Sequence, residues 1–515
     1  MRVSVFQPNS TRMRLNLIFV GLLVIYNFFF WKESAGLNLV IFTALILGVS
    51  AYLNRFAIDK NFWIITASYL VSAVACLTIN SELSVFVLSL STVVGVGYLN
   101  YQSSPIEAFL NSLSSFFTLK KPVLPQKVGY SKQPIFRYLG IAAFPLLVIT
   151  LYMLMFSAGN PVFKQYSQAA FGNIFSIFEN IHLPKLFFLL FGILILRWVF
   201  MRGRPRLFSI SEQSQLIRQS KQKVNALKLV VGLRKEFQMA MLLLISLNVL
   251  FALVNFIDVK YVWFQFHYSD MGLKDFLHEG FYWLILSLLI SIGLVLYVFR
   301  QNLNFYPKNG RLKFLAHLWI AQNMILAFSV GLRCLYYIQY HGLAPGRITV
   351  IIFLSMVFFG LSTLLIKVAK QKNLAWVLKV NSAAVLLILA ASSAINWDKL
   401  TDTYNLNHYA SNQIDIDHYL DLDPQQYHYL LEHFDKIEKQ IEAHNQNPER
   451  WVYYSNAEAF RSELIHRSKN YLRRRDKLSL YSWTYSDWKA EKELKYLLSQ
   501  LPPKVTADII EPPAS

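Results

Sequence analysis

The chain has 515 residues, 55% hydrophobic and 16% charged, with a mean hydropathy of +0.35. Soluble domains average about 25% charged residues, so an ordinary soluble globule is excluded. The net charge of +20 is unevenly held: residues 1–396 carry 35 Lys/Arg against 11 Asp/Glu, and residues 397–515 carry 15 against 19. The basic surplus therefore lies between apolar stretches, where it sets topology; nucleic acid is excluded as a partner.

Eleven apolar stretches follow in chain order, near 15–31, 36–53, 62–79, 84–101, 138–157, 186–202, 238–257, 281–300, 314–338, 348–368 and 376–396. Each approaches the roughly 20 residues that cross about 30 Å of hydrocarbon. Arg2, Arg12 and Arg14 precede the first stretch, but no small-residue cleavage site follows it, so it reads as a retained helix. With the N-terminus inside, 28 of the 35 basic residues fall on inner segments, while seven of the 11 acids, Asp258 and Glu279 among them, fall outside. That alternation predicts a cytoplasmic N-terminus and an extracytoplasmic C-terminus.

Four connections are too long for turns. Outside, residues 158–185 place Phe171, Ile174, Phe175, Phe178 and Ile181 on one helical face, as an interfacial helix does. Residues 258–280 open with Tyr261, Trp263, Phe264 and Phe266, an aromatic belt. Inside, residues 102–137 contain a Pro- and Lys-rich run, and residues 203–237 read as a basic amphipathic helix suited to an anionic leaflet or to a partner protein. The tail from Trp397 shows helical patterns near 424–445, 449–475 and 485–500, then an extended proline-containing end.

Arg333 is the most telling single residue, because it lies inside the ninth stretch. A charge there costs at least about 2.5 kcal/mol unless it is paired or can reach the interface. Glu279, at the outer start of the eighth stretch, is the expected counter-ion. An anion site and a structural pair are both consistent with this spacing. Gln322 and Asn323 lie about three turns deeper in the same helix, with Asn248 and Asn255 in the seventh. Such amides bond helix to helix, at about 0.6 kcal/mol each, or line a permeation path.

His267, Asp270, Asp275, His278 and Glu279 share one outer loop without a zinc spacing, and read as a solvated acidic rim. Asp415-x-Asp417 and Asp421-x-Asp423 lack the Gly and Glu of a calcium loop and read as capping residues. Cys76 and Cys334 lie in apolar stretches and read as buried hydrophobes. No catalytic, cofactor-binding or metal-binding pattern is found, which disfavours an enzyme.

Several short motifs keep a common order: Gly159-Asn160-Pro161-Val162-Phe163, Asp258-Val259-Lys260-Tyr261, His278 through Leu284, Leu332 through Ala344 with Arg347, Asn396-Trp397, and Asp417 through Leu422. Together they resemble a family of bacterial membrane proteins of unknown function, domain of unknown function 4173, to which the family 4153 is related. His341 stands where the family usually has Tyr, and Ala344 where it has Thr. The resemblance implies a bacterial plasma (inner) membrane location and a shared helical bundle, and it groups Arg333, Arg347 and Glu279 in one outward-facing region. It brings no catalytic residue.

The expectation is thus an all-α, polytopic membrane bundle of about 11 transmembrane helices over 1–396, with a small soluble helical domain outside at 397–515. Membrane lipids are its expected partners, a protein partner is open to residues 397–515, and no cofactor is implied. The expected function is transport, or lipid or anion handling, at an outward-facing cavity around Arg333, Glu279 and Arg347. The alternative is a scaffold or signalling protein that binds through its tail.

Overall fold

The computed structural model describes residues 9–54, 56–117, 183–199, 233–264, 273–299, 302–307, 309–407, 416–446 and 456–501, and among these it is built from helices with no strand. The first five helices are α1 (Asn9–Phe30), α2 (Leu37–Leu53), α3 (Lys60–Thr78), α4 (Glu82–Tyr101) and α5 (Pro105–Phe117). Next come α6 (Leu183–Val199), α7 (Leu233–Asp258), α8 (Leu273–Val298), α9 (Gly310–His341), α10 (Pro345–Ala369) and α11 (Leu374–Ser393). The tail holds α12 (Trp397–Leu406), α13 (Tyr427–Glu432), α14 (Phe434–Gln446), α15 (Ala457–Arg475) and α16 (Tyr485–Ser499).

Among the described residues, six helices are long and apolar enough to cross a membrane: α3, α4, α7 with the turn that follows it, α9, α10 and α11. The predicted span at 138–157, the interfacial helix at 158–185 and the basic helix at 203–237 lie largely or wholly outside the described residues. Within the predicted inner connection 102–137, α5 forms a further helix.

Two compact units are present, one of residues 1–32 and 114–205, the other of 33–113 and 206–515. In the first, Tyr26 of α1 stacks on Phe188 of α6 with ring centroids 4.6 Å apart. Gly192 leaves room for that tyrosine ring.

In the second unit, side-chain caps mark where helices begin. Asp59 accepts from Phe62 N at 2.9 Å, Ser81 from Ser84 N at 3.2 Å, and Asn373 from Trp376 N at 2.8 Å. Each cap satisfies an amide that has no partner within its helix. α3 and α4 pack through small residues, with Ser68, Ser72, Ala73, Ala75 and Cys76 buried on one and Ser84, Ser91 and Gly95 on the other. Small side chains bring backbones close where hydrocarbon supplies no hydrophobic drive between helices. The opposite side of α3 exposes Leu70, Val71 and Val74 to lipid. Further along, α7 to α11 share a core that includes Leu244, Leu288, Trp319, Leu326, Leu361 and Val377.

The tail buries its own cluster, with Leu420, Leu430, Ile437, Phe460, Leu464 and Leu494 at its centre. It meets one end of the bundle at three loops. Leu37 N donates to Trp483 O (3.0 Å), and Ser482 Oγ donates to Glu33 Oε2 (2.6 Å). Ser486 Oγ donates to Ile79 O (3.0 Å). At the third loop, Asn405 of α12 accepts from Leu343 N (2.7 Å) and donates to Leu343 O (2.9 Å). Gly342 beside it has φ +77°, and a Cβ there would lie 2.6 Å from Asn405 Oδ1, so glycine is required twice over.

Candidate functional site

The polar site grows from the spacing of α7. Ala240, Leu244, Asn248, Asn255, Asp258 and Val262 fall on one face and are buried, whereas Leu242, Ile245, Val249, Leu253 and Phe256 on the other face are exposed. The helix therefore turns its polar stripe towards α9 and its apolar side towards lipid. The two helices run parallel, as successive bonds show. Asn248 Nδ2 donates to Leu315 O (3.0 Å), Gln322 Nε2 donates to Asn248 Oδ1 (3.2 Å), and Asn255 Nδ2 donates to Gln322 O (3.1 Å).

At the top of this seam, Arg333 Nη2 donates to Asp258 Oδ1 at 2.6 Å, and both side chains are only 8% exposed. The α-helix ends at Asp258 and continues as a π-helical turn, Val259–Phe264. From that turn Trp263 Nε1 donates to Ser329 Oγ of α9 (3.2 Å). From Asn248 to Asp258 the seam climbs about 15 Å, half the hydrocarbon depth.

Part of the bonding capacity of its side-chain oxygens is unused. Asp258 Oδ2, Asn255 Oδ1 and Gln322 Oε1 are buried without a hydrogen-bond partner. These oxygens are not a matter of amide orientation. The nitrogen of Asn255 is held by a backbone carbonyl, which only accepts, and so is that of Asn248; the latter leaves Asn248 Oδ1 to receive the Gln322 nitrogen. Each such group costs about 1–3 kcal/mol if left unfilled, so a run of three points to a polar occupant.

The expected partner of Arg333 is Glu279; among the described residues the ion pair it forms is with Asp258. The spacing of Asp258 from Asn248 and Asn255, ten and three residues, marks it as a member of the same stripe. Glu279 lies on α8, and its side chain is outside the described residues. Arg347 sits at the end of α9, where it donates to His341 O (2.8 Å) and Gly342 O and lies over the Tyr337 ring at 4.4 Å. There it satisfies the last carbonyls of α9 and complements the helix dipole. Asn323 donates to Trp319 O within its own helix (2.8 Å); Asn323 Oδ1 and Trp319 Nε1 are also buried without partners. A shallow groove lined by Met241, Ile245, Phe314 and Leu315 lies at the other end of α7 and α9, away from Arg333. Of the predicted acidic rim, His267 and Asp270 lie outside the described residues, as do the side chains of Asp275 and His278.

Two buried charges escape a reading of loops alone. Lys367, fully buried in α10, donates its Nζ to Phe299 O (2.7 Å) just beyond the C-terminus of α8. Asp402 of α12 is fully buried and neither carboxylate oxygen has a partner. Burial, then the charge of Asp398, raises its carboxyl well above the usual range. Burial and Glu82 raise Asp398 in turn, against an opposing pull from His418. Asp423 is pushed up to about 6, chiefly by burial, with Asp398, Asp487 and Glu82 adding and the Gln425 amide opposing. Among the described residues no group of three His, Cys, Asp or Glu is placed to hold a metal ion.

A family model described as Domain of unknown function (DUF4153) matches residues 18–433. No curated protein and no solved structure matched the chain.

Proposed function

We propose, for a chain that belongs to the family Domain of unknown function (DUF4153), that it is a membrane protein binding a small monovalent cation along the α7–α9 seam in the course of transport. The observation that carries this reading is the run of open acceptors Asp258 Oδ2, Asn255 Oδ1 and Gln322 Oε1 beside an ion pair that is already neutral. The sequence left an anion site and a structural pair both open at Arg333. With that guanidinium on Asp258, the open carboxylate and amide oxygens can receive a cation or a hydrogen-bond donor. A divalent ion would leave two uncompensated charges in hydrocarbon, so a single charge fits better. The π-turn above Asp258 supports the reading, because such turns concentrate at functional sites.

In this reading the bundle has about eleven spans in a bacterial plasma membrane, with the N-terminus cytoplasmic and residues 397–515 forming an extracytoplasmic domain. The alternation of Lys and Arg between loops supports that orientation. So does the tail, whose three docking loops are all ones the alternation assigns to the outer side. The motif resemblance to the 4173 family fits the same placement. The alternative, a scaffold recruiting a protein through 397–515, has in its favour an exposed aromatic edge at residues 480–496.

The test is ion flux through the purified full chain in liposomes loaded with a pH- or sodium-sensitive dye, with chloride exchanged for gluconate as the anion control. Flux is expected to follow the cation and to fall about tenfold in Asn255→Leu, which leaves the Arg333–Asp258 pair in place. A signal that follows the anion, or none in the wild type, contradicts the reading.

A further inference from the structure

The tail keeps an unusual amount of aromatic surface open. Leu480 is 85% exposed and Tyr496 65%, and Tyr481, Trp483, Tyr485 and Trp488 are exposed with them. On α16, Tyr485, Trp488, Lys492 and Tyr496 follow one another on one helical face, while Asp487, Ala490 and Leu494 on the other face are buried. Isolated apolar side chains on a surface need no explanation, but a contiguous aromatic patch marks a contact.

Its position names the contact. Ser479 N donates to Glu33 Oε2 (3.0 Å), Leu37 N to Trp483 O (3.0 Å) and Ser486 Oγ to Ile79 O (3.0 Å). Leu37 opens α2, and Ile79 follows the last residue of α3, so segment 479–486 is tied to the level where apolar helices end. Gly36 permits this approach, since a Cβ there would lie 2.9 Å from the carbonyls of Ser482 and Trp483. Along α3, leading to the same end, Leu70, Val71 and Val74 present a lipid-facing side.

Charge agrees with position. The tail as a whole has more acids than bases, yet this edge exposes Arg473, Arg474, Lys477, Lys492 and Lys495. Lys492 Nζ lies 5.6 Å from the Trp488 ring centroid, and Lys495 pairs with Asp476 at 3.5 Å. Tryptophan and tyrosine concentrate at the membrane–water boundary, with lysine reaching from an apolar stem to phosphate.

We propose that this edge, Leu480–Trp483 together with the open face of α16, lies in the phospholipid headgroup layer of the membrane that the bundle spans. The tail is then a surface-bound element held at a fixed height rather than a domain standing free in water. The proposal is independent of what the α7–α9 seam carries.

Spin-label accessibility in nanodiscs tests it with the full chain. Cys76 and Cys334 are buried, so a cysteine added at an exposed position is the one that reacts. Leu480→Cys and Trp488→Cys probe the edge, and Glu438→Cys, exposed on α14, gives the aqueous reference. Labels at 480 and 488 should collide several-fold more with oxygen, relative to a water-soluble nickel chelate, than the label at 438. Adding phosphatidylglycerol to phosphatidylcholine should increase the difference, and Lys492→Glu should reduce that increment. Labels at 480 and 488 as open to the chelate as 438 would place the edge in water and overturn the proposal. Labels closed to both reagents would show a protein cover, such as a second copy, and overturn it as well.

Discussion

In a helix surrounded by hydrocarbon, the guanidinium of Arg333 can keep its charge only beside a partner, and Asp258 at 2.6 Å supplies one. Removing either member leaves the other buried and uncompensated, a loss of about 3–5 kcal/mol. Arg333→Leu and Asp258→Leu are therefore each expected to lower the unfolding midpoint in detergent sharply. The double variant should be no worse than either single one, and additive losses would show that the two charges do not depend on each other. Arg333, Asn248, Asn255 and Gln322 were legible in the sequence as polar residues inside apolar stretches. Asp258 was legible only as an outer-loop acid, because hydropathy closes the seventh stretch near residue 257. The helical path in fact runs on to Phe264, which puts Asp258 more than a turn inside it. Lys367 was hidden for a related reason: counted with the inner loop, it turns inward to the Phe299 carbonyl.

Among the elements, long apolar helices were the most readable, since twenty apolar residues leave few alternatives. The tail was harder. Its predicted helix 424–445 is a 3-10 turn followed by α13 and α14, broken at His433. Tyr427, Leu430, Phe434, Ile437 and Ile441 are buried on both sides of the break, so apolar spacing alone does not announce it. The same limit hid α12, which starts one residue after the Asn396 cap and leaves no polar gap behind α11. The α9–α10 turn offers a test at this scale. Gly342→Ala meets both an adverse φ and the Asn405 amide, at a cost of about 1–3 kcal/mol. Limited proteolysis should release the tail faster in Gly342→Ala and in Asn405→Ala. Unchanged release in both would show that this joint does not hold the tail.

Across the whole molecule, the acids between tail and bundle end set an unusual pH response. Asp398, Asp402 and Asp423 are all raised, Asp423 from 3.8 to about 6. The docked tail therefore binds more protons than the released one, and stability falls as pH rises from the ordinary carboxyl value through the raised ones. Protection factors in α12 and the segment 416–426, which remove the intrinsic pH dependence of amide exchange, should rise between pH 7 and pH 5 (about two units, on either side of the raised Asp423 value), opposite to the usual acid loosening. Asp402→Asn should raise protection already at neutral pH and flatten the dependence; lower protection factors at the lower pH in both proteins would reject the assignment. The bonds of Trp483, Ser486 and Asn405 also have a mechanical consequence. They brace the tops of α2, α3 and α9–α10 against a single rigid strap, so sliding one of these rods past another would first require unfastening it. α7 is gripped by its polar stripe on one side and backed by lipid on the other. A rearrangement of the bundle that spares the strap would therefore leave the ends of α2, α3 and α9–α10 fixed relative to one another.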